Sequence, residues 1–408
     1  MIVIKLCRVC GSDKIDIVCK LSSSPYGDLF KTSQTEAKSL GYQNLALAIC
    51  GQCDLLQLTE NPDVATIYGD YLYRTTITNL LSSYYSQVTN KLILEYELKT
   101  GSTIIDIGSN DGTFLLNFKL KGFNVIGIEP TKNSAEIAEK KGVLTFNGYF
   151  DKSAYGFIID KIEYPSLISI NYTLANITDI YSVFELIIKL MNDRTVLSII
   201  TGYHPDQFAV NMFEYINHDH LYYFTIASLS NLCNIFGLKI LDVTRVEHKG
   251  GSIQIIIAKN YSDWKVQSSV SQLIQREKWL NCNESDFTNQ LVSRIDAISN
   301  SIKLILTNFN NKTIYGVGAS ISSTHLCNQL QLSNLIKYIF DDDLNKIEKF
   351  SPGSGIEVKL LSDLPTNDGS LVIILAWQHS EKLLNRLKEI GFSGQVLLPL
   401  PSPKLIYI

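Results

Sequence analysis

The sequence predicts an α/β chain in three parts: a small, metal-stapled N-terminal segment, a doubly wound parallel sheet, and a second, Rossmann-like βα segment at the C-terminal end. Three observations predict this. Two Cys-x-x-Cys pairs fall inside the first 53 residues, short apolar runs alternate with helical patterns from Thr103 onward, and the same alternation begins again at Thr313. A chain of 408 residues has room for two or three domains at the usual ~100–200 residues each. The expected divisions are 1–65, 66–300 and 301–408, the middle part including linker helices around Leu273, Ile274 and Trp279.

Composition removes several classes. With 45% apolar and 19% charged residues the chain is neither disordered nor a coiled coil. Lysine and arginine total 36 against 40 acidic residues, a net charge of −4, and phosphate backbones are bound by clustered positive charge. No nucleic-acid partner is therefore expected. Apolar runs such as Leu371 to Trp377 fall far short of the ~18 residues of a membrane span. The start, MIVIKLCRVC, lacks a basic region followed by a long apolar one. A soluble, cytoplasmic protein is expected, monomeric or homodimeric, with no membrane partner, in a compartment that does not favour disulfides.

In the first part, Cys7, Cys10, Cys50 and Cys53 form the two pairs. Each pair puts two thiolates on one turn, and two such turns make a tetrahedral zinc site. A redox pair is the competing reading, but it usually sits at a helix start after a strand. Four protein ligands leave no open position, so the zinc is expected to be structural. Cys19 reads as a small buried hydrophobe.

In the second part, Thr103 to Ile107 reads as a buried parallel strand, Gly108 to Gly112 as a turn, Thr113 to Lys121 as a helix, and Asn124 to Ile128 as the next strand, closed by Glu129. Glycines let the backbone approach a ligand, and an acid at the end of the second strand accepts hydrogen bonds from ribose hydroxyls. A pyrophosphate-binding GxGxxG is missing, and Asn110 and Asp111 occupy the turn. Acidic and polar groups suit a cationic cofactor without phosphate, S-adenosylmethionine (SAM), better than a nicotinamide. The expected cofactor contacts are Asp106, Gly108, Asn110, Asp111, Gly112, Glu129 and Asn171, with Phe150 either stacked on adenine or in the core. A βαβ unit without cofactor is the bland alternative. Asn171 and Asn176, following the apolar run from Leu167, are placed to face the transfer site.

The densest polar and aromatic cluster runs from Glu214 to Phe224 and holds two of the six histidines, His218 and His220, around Asp219. Histidine is the usual general base near neutral pH. Packing and metal binding are the other readings of His-Asp-His.

With these motifs quoted, the sequence resembles the sugar C-methyltransferases that act on nucleotide-linked 4-keto-6-deoxy sugars. The resemblance covers nearly the whole chain. It rests on CRVC with CGQC, on IDIGSNDGTFL with IEP, and on HDHLYYF, with support from KGGSIQ, YGVGA and LAWQ. It implies the class I SAM methyltransferase fold, one structural zinc, SAM as cofactor and a nucleotide-linked sugar as substrate. By the same resemblance His220 removes the C3 proton acidified by the 4-keto group and the enolate carbon takes the methyl. Asp219 matches the acid beside the base, Tyr73 a tyrosine near the sugar, and Asn176, Asn217, His218 and Tyr223 fall at substrate positions. Members often carry histidine where Asn176 stands, tyrosine where Asn217 stands, asparagine where Tyr172 stands and arginine where Gln254 stands, so the sugar and the acceptor atom stay open.

In the third part, TIYGVGAS and LIKYIFDDD repeat the βα pattern. Ile321 occupies the third glycine position of a dinucleotide fingerprint, so packing, or holding the substrate nucleotide, is the expected role. Ser320, Ser322 and Ser323 at a helix start are caps or diphosphate contacts. Three alternatives stand beside the leading reading: methylation of sugar oxygen or nitrogen, an RNA methyltransferase with a zinc ribbon, and a non-catalytic SAM-binding protein.

Overall fold

A computed structural model describes residues 4–63, 66–67, 79–282 and 284–408. The N-terminal part folds as an antiparallel sheet of β1 (Ile15–Ser24), β2 (Gln43–Cys50) and β3 (Leu56–Leu58). The Cys50 pair sits on the tight turn between β2 and β3, where the Asp54 N–H donates to the Cys50 carbonyl at 3.0 Å. Outside this sheet, the Cys7 N–H donates to the Ser12 carbonyl at 2.8 Å and closes the other turn.

The central part is built on β4 (Thr103–Ile107), β5 (Asn124–Glu129), β6 (Leu144–Asn147), β7 (Leu167–Asn171) and β8 (Val196–Gly202), all parallel. Every residue of β4 and β7 is buried. That is why their sequences read as continuous apolar runs rather than alternating ones: helices cover both faces. A two-residue strand, β9 (Tyr222–Tyr223), leaves this sheet and pairs with β3. The chain then returns through β10 (Leu238–Val246) and β11 (Ser252–Lys259), which pair antiparallel at the β8 edge. The spatial order is β10-β11-β8-β7-β4-β5-β6, the class I methyltransferase arrangement. Its direction of winding reverses between β4 and β7, where open α/β sheets bind ligands at the carboxyl ends of their strands.

The C-terminal part carries β12 (Ile314–Val317), β13 (Ile336–Asp341), β14 (Val358–Leu360), β15 (Leu371–Ile374), β16 (Gln395–Leu398) and β17 (Lys404–Tyr407) in the order β14-β13-β12-β15-β16-β17. All are parallel except β17. This sheet reverses between β12 and β15. The long helix Ser285–Leu306 runs through residue 300, so the two larger sheets are joined along a helix rather than at a loop.

Candidate active site

The reversal points of the two larger sheets open onto one cleft of about 2390 Å³. Its central wall is the turn after β4. Gly108 and Asn110 both take left-handed conformations (φ 76° and 48°). A β-carbon on Gly108 would run into the Thr173 side chain, so the glycine lets this turn seat against the loop after β7. The Glu129 carboxylate accepts the Asn110 N–H at 2.9 Å and the Thr131 N–H at 2.8 Å, and burial raises its proton affinity. Asp106 accepts from the Ser169 hydroxyl at 2.6 Å and from Asn171 Nδ2 at 3.1 Å, and burial pushes its pKa up to about 7. The Asn171 Oδ1 is buried with no hydrogen-bond partner among the described residues. Two acids, an unsatisfied acceptor and the Phe150 ring line this part of the cleft. That donor set fits a cofactor bearing ammonium, sulfonium and ribose hydroxyls.

Two expected cofactor contacts are turned away. Asp111 is fully buried, accepts from the Thr113 N–H (3.3 Å) and hydroxyl (2.7 Å), and pairs with Lys141 at 3.3 Å. It fixes the start of the helix Thr113–Lys119 instead of lining the cleft. Gly112, with φ 74°, is the N-cap of that helix and is also off the cleft.

The opposite wall is the His-Asp-His segment, which is held by the zinc-bearing sheet. Tyr222 and Tyr223 pair with Gln57 and Leu56, the Leu58 N–H donates to the Leu221 carbonyl at 3.0 Å, and the Leu221 N–H donates to the Ala175 carbonyl at 2.7 Å. His220 lines the cleft, and its Nδ1 donates to the Tyr215 carbonyl at 3.0 Å. A carbonyl oxygen only accepts, so the ring proton sits on Nδ1 and Nε2 keeps the lone pair. Burial pushes the His220 pKa down to about 4, and the nearby Lys249 charge acts in the same direction. The imidazole is thus neutral and competent to take a proton.

Asp219, Asn217 and Asn176 line the cleft with it. Burial, and then the charge of Asp28, push Asp219 up to about 7. The Asn217 side-chain oxygen accepts the Asp219 N–H at 3.0 Å, closing a turn that sends His218 to the other side. There His218 Nε2 donates to the Asn44 carbonyl at 3.1 Å, and its ring packs edge-on against Tyr26. The two imidazoles therefore do not converge on one point as metal ligands would. Tyr223 is also off the cleft: its hydroxyl accepts the Asn217 N–H at 3.3 Å and bonds the Tyr215 carbonyl at 3.4 Å, bracing the loop from behind. Tyr73 lies outside the described residues.

Sequence reasoning gave no role to two groups at this wall. The Lys249 ammonium lies 4.1 Å over the Tyr172 ring inside the cleft. Glu214 is wholly buried, and its Oε1 accepts from Trp377 Nε1 at 2.5 Å and Gln378 Nε2 at 3.0 Å, tying this loop to the turn after β15. The signals were a charged residue next to a Gly-Gly pair and a lone acid at the head of the aromatic cluster. Neither specifies a partner without the fold.

The four cysteines of the N-terminal pairs bring their sulfurs within 4.8 Å of one another, with Cys7–Cys53 at 3.5 Å and Cys10–Cys50 at 3.6 Å. Four thiolates at ~2.3 Å from one zinc would stand about 3.8 Å apart. The set fits a structural zinc with protein ligands at every position.

Comparison with known proteins agrees with this geometry. A zinc binding domain family matches residues 7–68, a methyltransferase domain family residues 80–243, and a C-methyltransferase C-terminal domain family residues 247–401. The chain is a SAM-dependent methyltransferase. Of the three families that this methyltransferase matches, the one over residues 247–401 is described as the C-terminal domain of C-methyltransferases. It is 24% identical over 404 residues to the C-methyltransferase NovU of Streptomyces niveus, covering 98% of this chain and 96% of that one. Solved structures similar to the methyltransferase include the SAM-bound magnesium protoporphyrin IX methyltransferase of Synechocystis PCC 6803 (12% identity, 48% of this chain, 88% of that one, TM-score 0.34). Another is the PH0226 protein of Pyrococcus horikoshii OT3 (10% identity, 48% and 98%, TM-score 0.38). Among the described residues no helix is long and apolar enough to cross a membrane.

Proposed function

We propose that this methyltransferase methylates a carbon, C3, beside the 4-keto group of a nucleotide-linked deoxy sugar, with His220 as the base. The observation that carries the reading is the state of His220: it lines the cleft, neutral, with Nδ1 committed to a carbonyl and Nε2 left to accept. Methylation of oxygen or nitrogen does not require a carbon acid to be ionised, whereas transfer to carbon does. Asp106, Asn110, Glu129, Phe150 and Asn171 hold the cofactor in this reading, which supplies an electrophilic methyl when bound. Asp219, Asn176 and Asn217 contact the sugar.

The far side of the cleft suits the nucleotide. Lys382 and Arg386 line it on one helix, and Ser320 and Ser322 stand at the start of another. Ser320 itself caps that helix in a reciprocal box with Ser323, so its hydroxyl is already engaged. We place the parts at 1–65, 66–300 and 301–408, the last two facing each other across the substrate.

The test is to supply SAM labelled with ¹³C in its methyl group together with dTDP-4-keto-6-deoxyglucose and to read the product by NMR. A labelled methyl carbon coupled to C3 is expected. A methyl on oxygen or nitrogen would overturn the reading.

A further inference from the structure

Lys249 sits in the short turn between β10 and β11, with φ 55° and ψ 43°, a left-handed conformation that a lysine adopts only when its surroundings impose it. The surroundings do. The Lys249 carbonyl accepts from Gln207 Nε2 at 3.2 Å, the His248 carbonyl from the Ser252 hydroxyl at 2.9 Å, and the Tyr203 N–H donates to the Gly251 carbonyl at 3.2 Å. Next along, Gly250 packs so closely on Met212 that a β-carbon would run into its sulfur. The turn therefore aims the lysine in one direction, into the cleft. There its Nζ stands over the ring of Tyr172, which also has φ 55° and follows Asn171 at the end of β7. His220 shares this space, near enough that each charge would disfavour the other. A lysine carries three donors and a compact charge, and here both are fixed on the partly buried wall of the cleft, where such a charge acts more strongly than in bulk water.

We propose that Lys249 stabilises the oxyanion formed when His220 takes the carbon-bound proton of the keto sugar. The inference rests on the reading given under the proposed function. In the step, the C3–H bond breaks and the proton passes to His220 Nε2. Its electron pair becomes the C3–C4 π bond, and the carbonyl π pair moves onto the oxygen, which the Lys249 ammonium holds. Lys249 gives up no proton. In deuterated water, return of a solvent deuteron to C3 reverses the step, so it can be followed without SAM.

The experiment follows C3 exchange by mass spectrometry, using the full chain and dTDP-4-keto-6-deoxyglucose, for the wild type, Lys249→Met, Lys249→Gly and Lys249→Arg. Glycine suits the left-handed backbone, so Lys249→Gly removes the charge without adding strain. Calorimetry with S-adenosylhomocysteine and a melting curve check that each variant is folded. Loss of exchange by at least about 100-fold in the Met and Gly variants is expected, the scale of losing one oxyanion donor, with partial recovery in Lys249→Arg. A purely structural lysine would not alter the pH profile. Here burial brings Lys249 down to about 8, with His220 and His248 as its titratable neighbours. Wild-type exchange should fall as pH rises through about 8, and Lys249→Arg should not show that fall.

Wild-type exchange rates in folded Lys249→Met and Lys249→Gly would overturn the role of Lys249 and leave the proposed function standing. A Lys249-dependent adduct trapped by borohydride would also overturn it, by showing a covalent role. Absence of exchange in the wild type would overturn the proposed function, and this inference with it.

Discussion

Glu214 is a carboxyl group with no basic partner among the described residues, enclosed where two sheets meet. Its Oε1 takes both hydrogen bonds, from Trp377 and Gln378, while Oε2 is buried with none among the described residues. A proton on Oε2 suits this arrangement, and burial pushes its pKa from 4.5 up to about 7. Between those values the folded chain binds more protons than the unfolded one. The stability from this group is therefore complete below about 4.5 and is lost as pH rises through about 7. Asp106 and Asp219, also raised to about 7, act with the same sign. Glu214→Gln keeps the acceptor and imitates the protonated form, so its melting temperature should decline less than that of the wild type between pH 5 and pH 7.5. Parallel pH–melting curves for the two proteins would show that Glu214 does not titrate in this window. At this scale the sequence was legible in placement: the four cysteines cluster, and Glu129 and His220 line the cleft. It was not legible where an acid braces the first residue of the helix that follows it, as Asp111 does with Thr113, or where a role depends on a partner far along the chain, as for Glu214 and Lys249.

Among the elements, β9 links the cysteine cluster to His220. It is two residues long, follows His220 almost directly, and completes the sheet whose turn carries Cys50 and Cys53. Asn231 adds a bond of 3.1 Å from its Nδ2 to the Cys53 carbonyl. A segment this small has little core of its own, so its order depends on the metal. Removing zinc with a chelator, or Cys50→Ser, should cost catalysis as well as N-terminal stability, while binding of S-adenosylhomocysteine to the β4 and β7 turns persists. Unchanged turnover in zinc-free protein would show that β9 holds His220 without the metal. The strands β4 and β7 were readable in advance because burial on both faces makes them continuously apolar. β9 was not, since two tyrosines inside an aromatic run carry no periodicity and their pairing with β3 is long-range. The turn of the His-Asp-His segment was hidden for a similar reason: the Asn217 hydrogen bond, not spacing, decides that His218 and His220 part company.

For the whole molecule, the two larger sheets open onto one cleft and the N-terminal sheet supports its wall from behind. The central sheet supplies the acidic turn and the loop after β7, and the N-terminal sheet holds the segment that carries His220. The C-terminal sheet closes the far side and grips the loop that carries His220 through Glu214. Such an arrangement sets two walls around a bound cofactor, the geometry through which proximity contributes to catalysis. The parts and their order were legible because each has its own signature, whereas the cleft between them was not, because it belongs to no single segment. The most direct test of the account is deuterium exchange at C3 of dTDP-4-keto-6-deoxyglucose without SAM, comparing the wild type with His220→Ala. The account predicts exchange in the wild type and a loss of roughly 10²–10⁴-fold in the variant, the usual contribution of a general base. Equal exchange in the two folded proteins would contradict it.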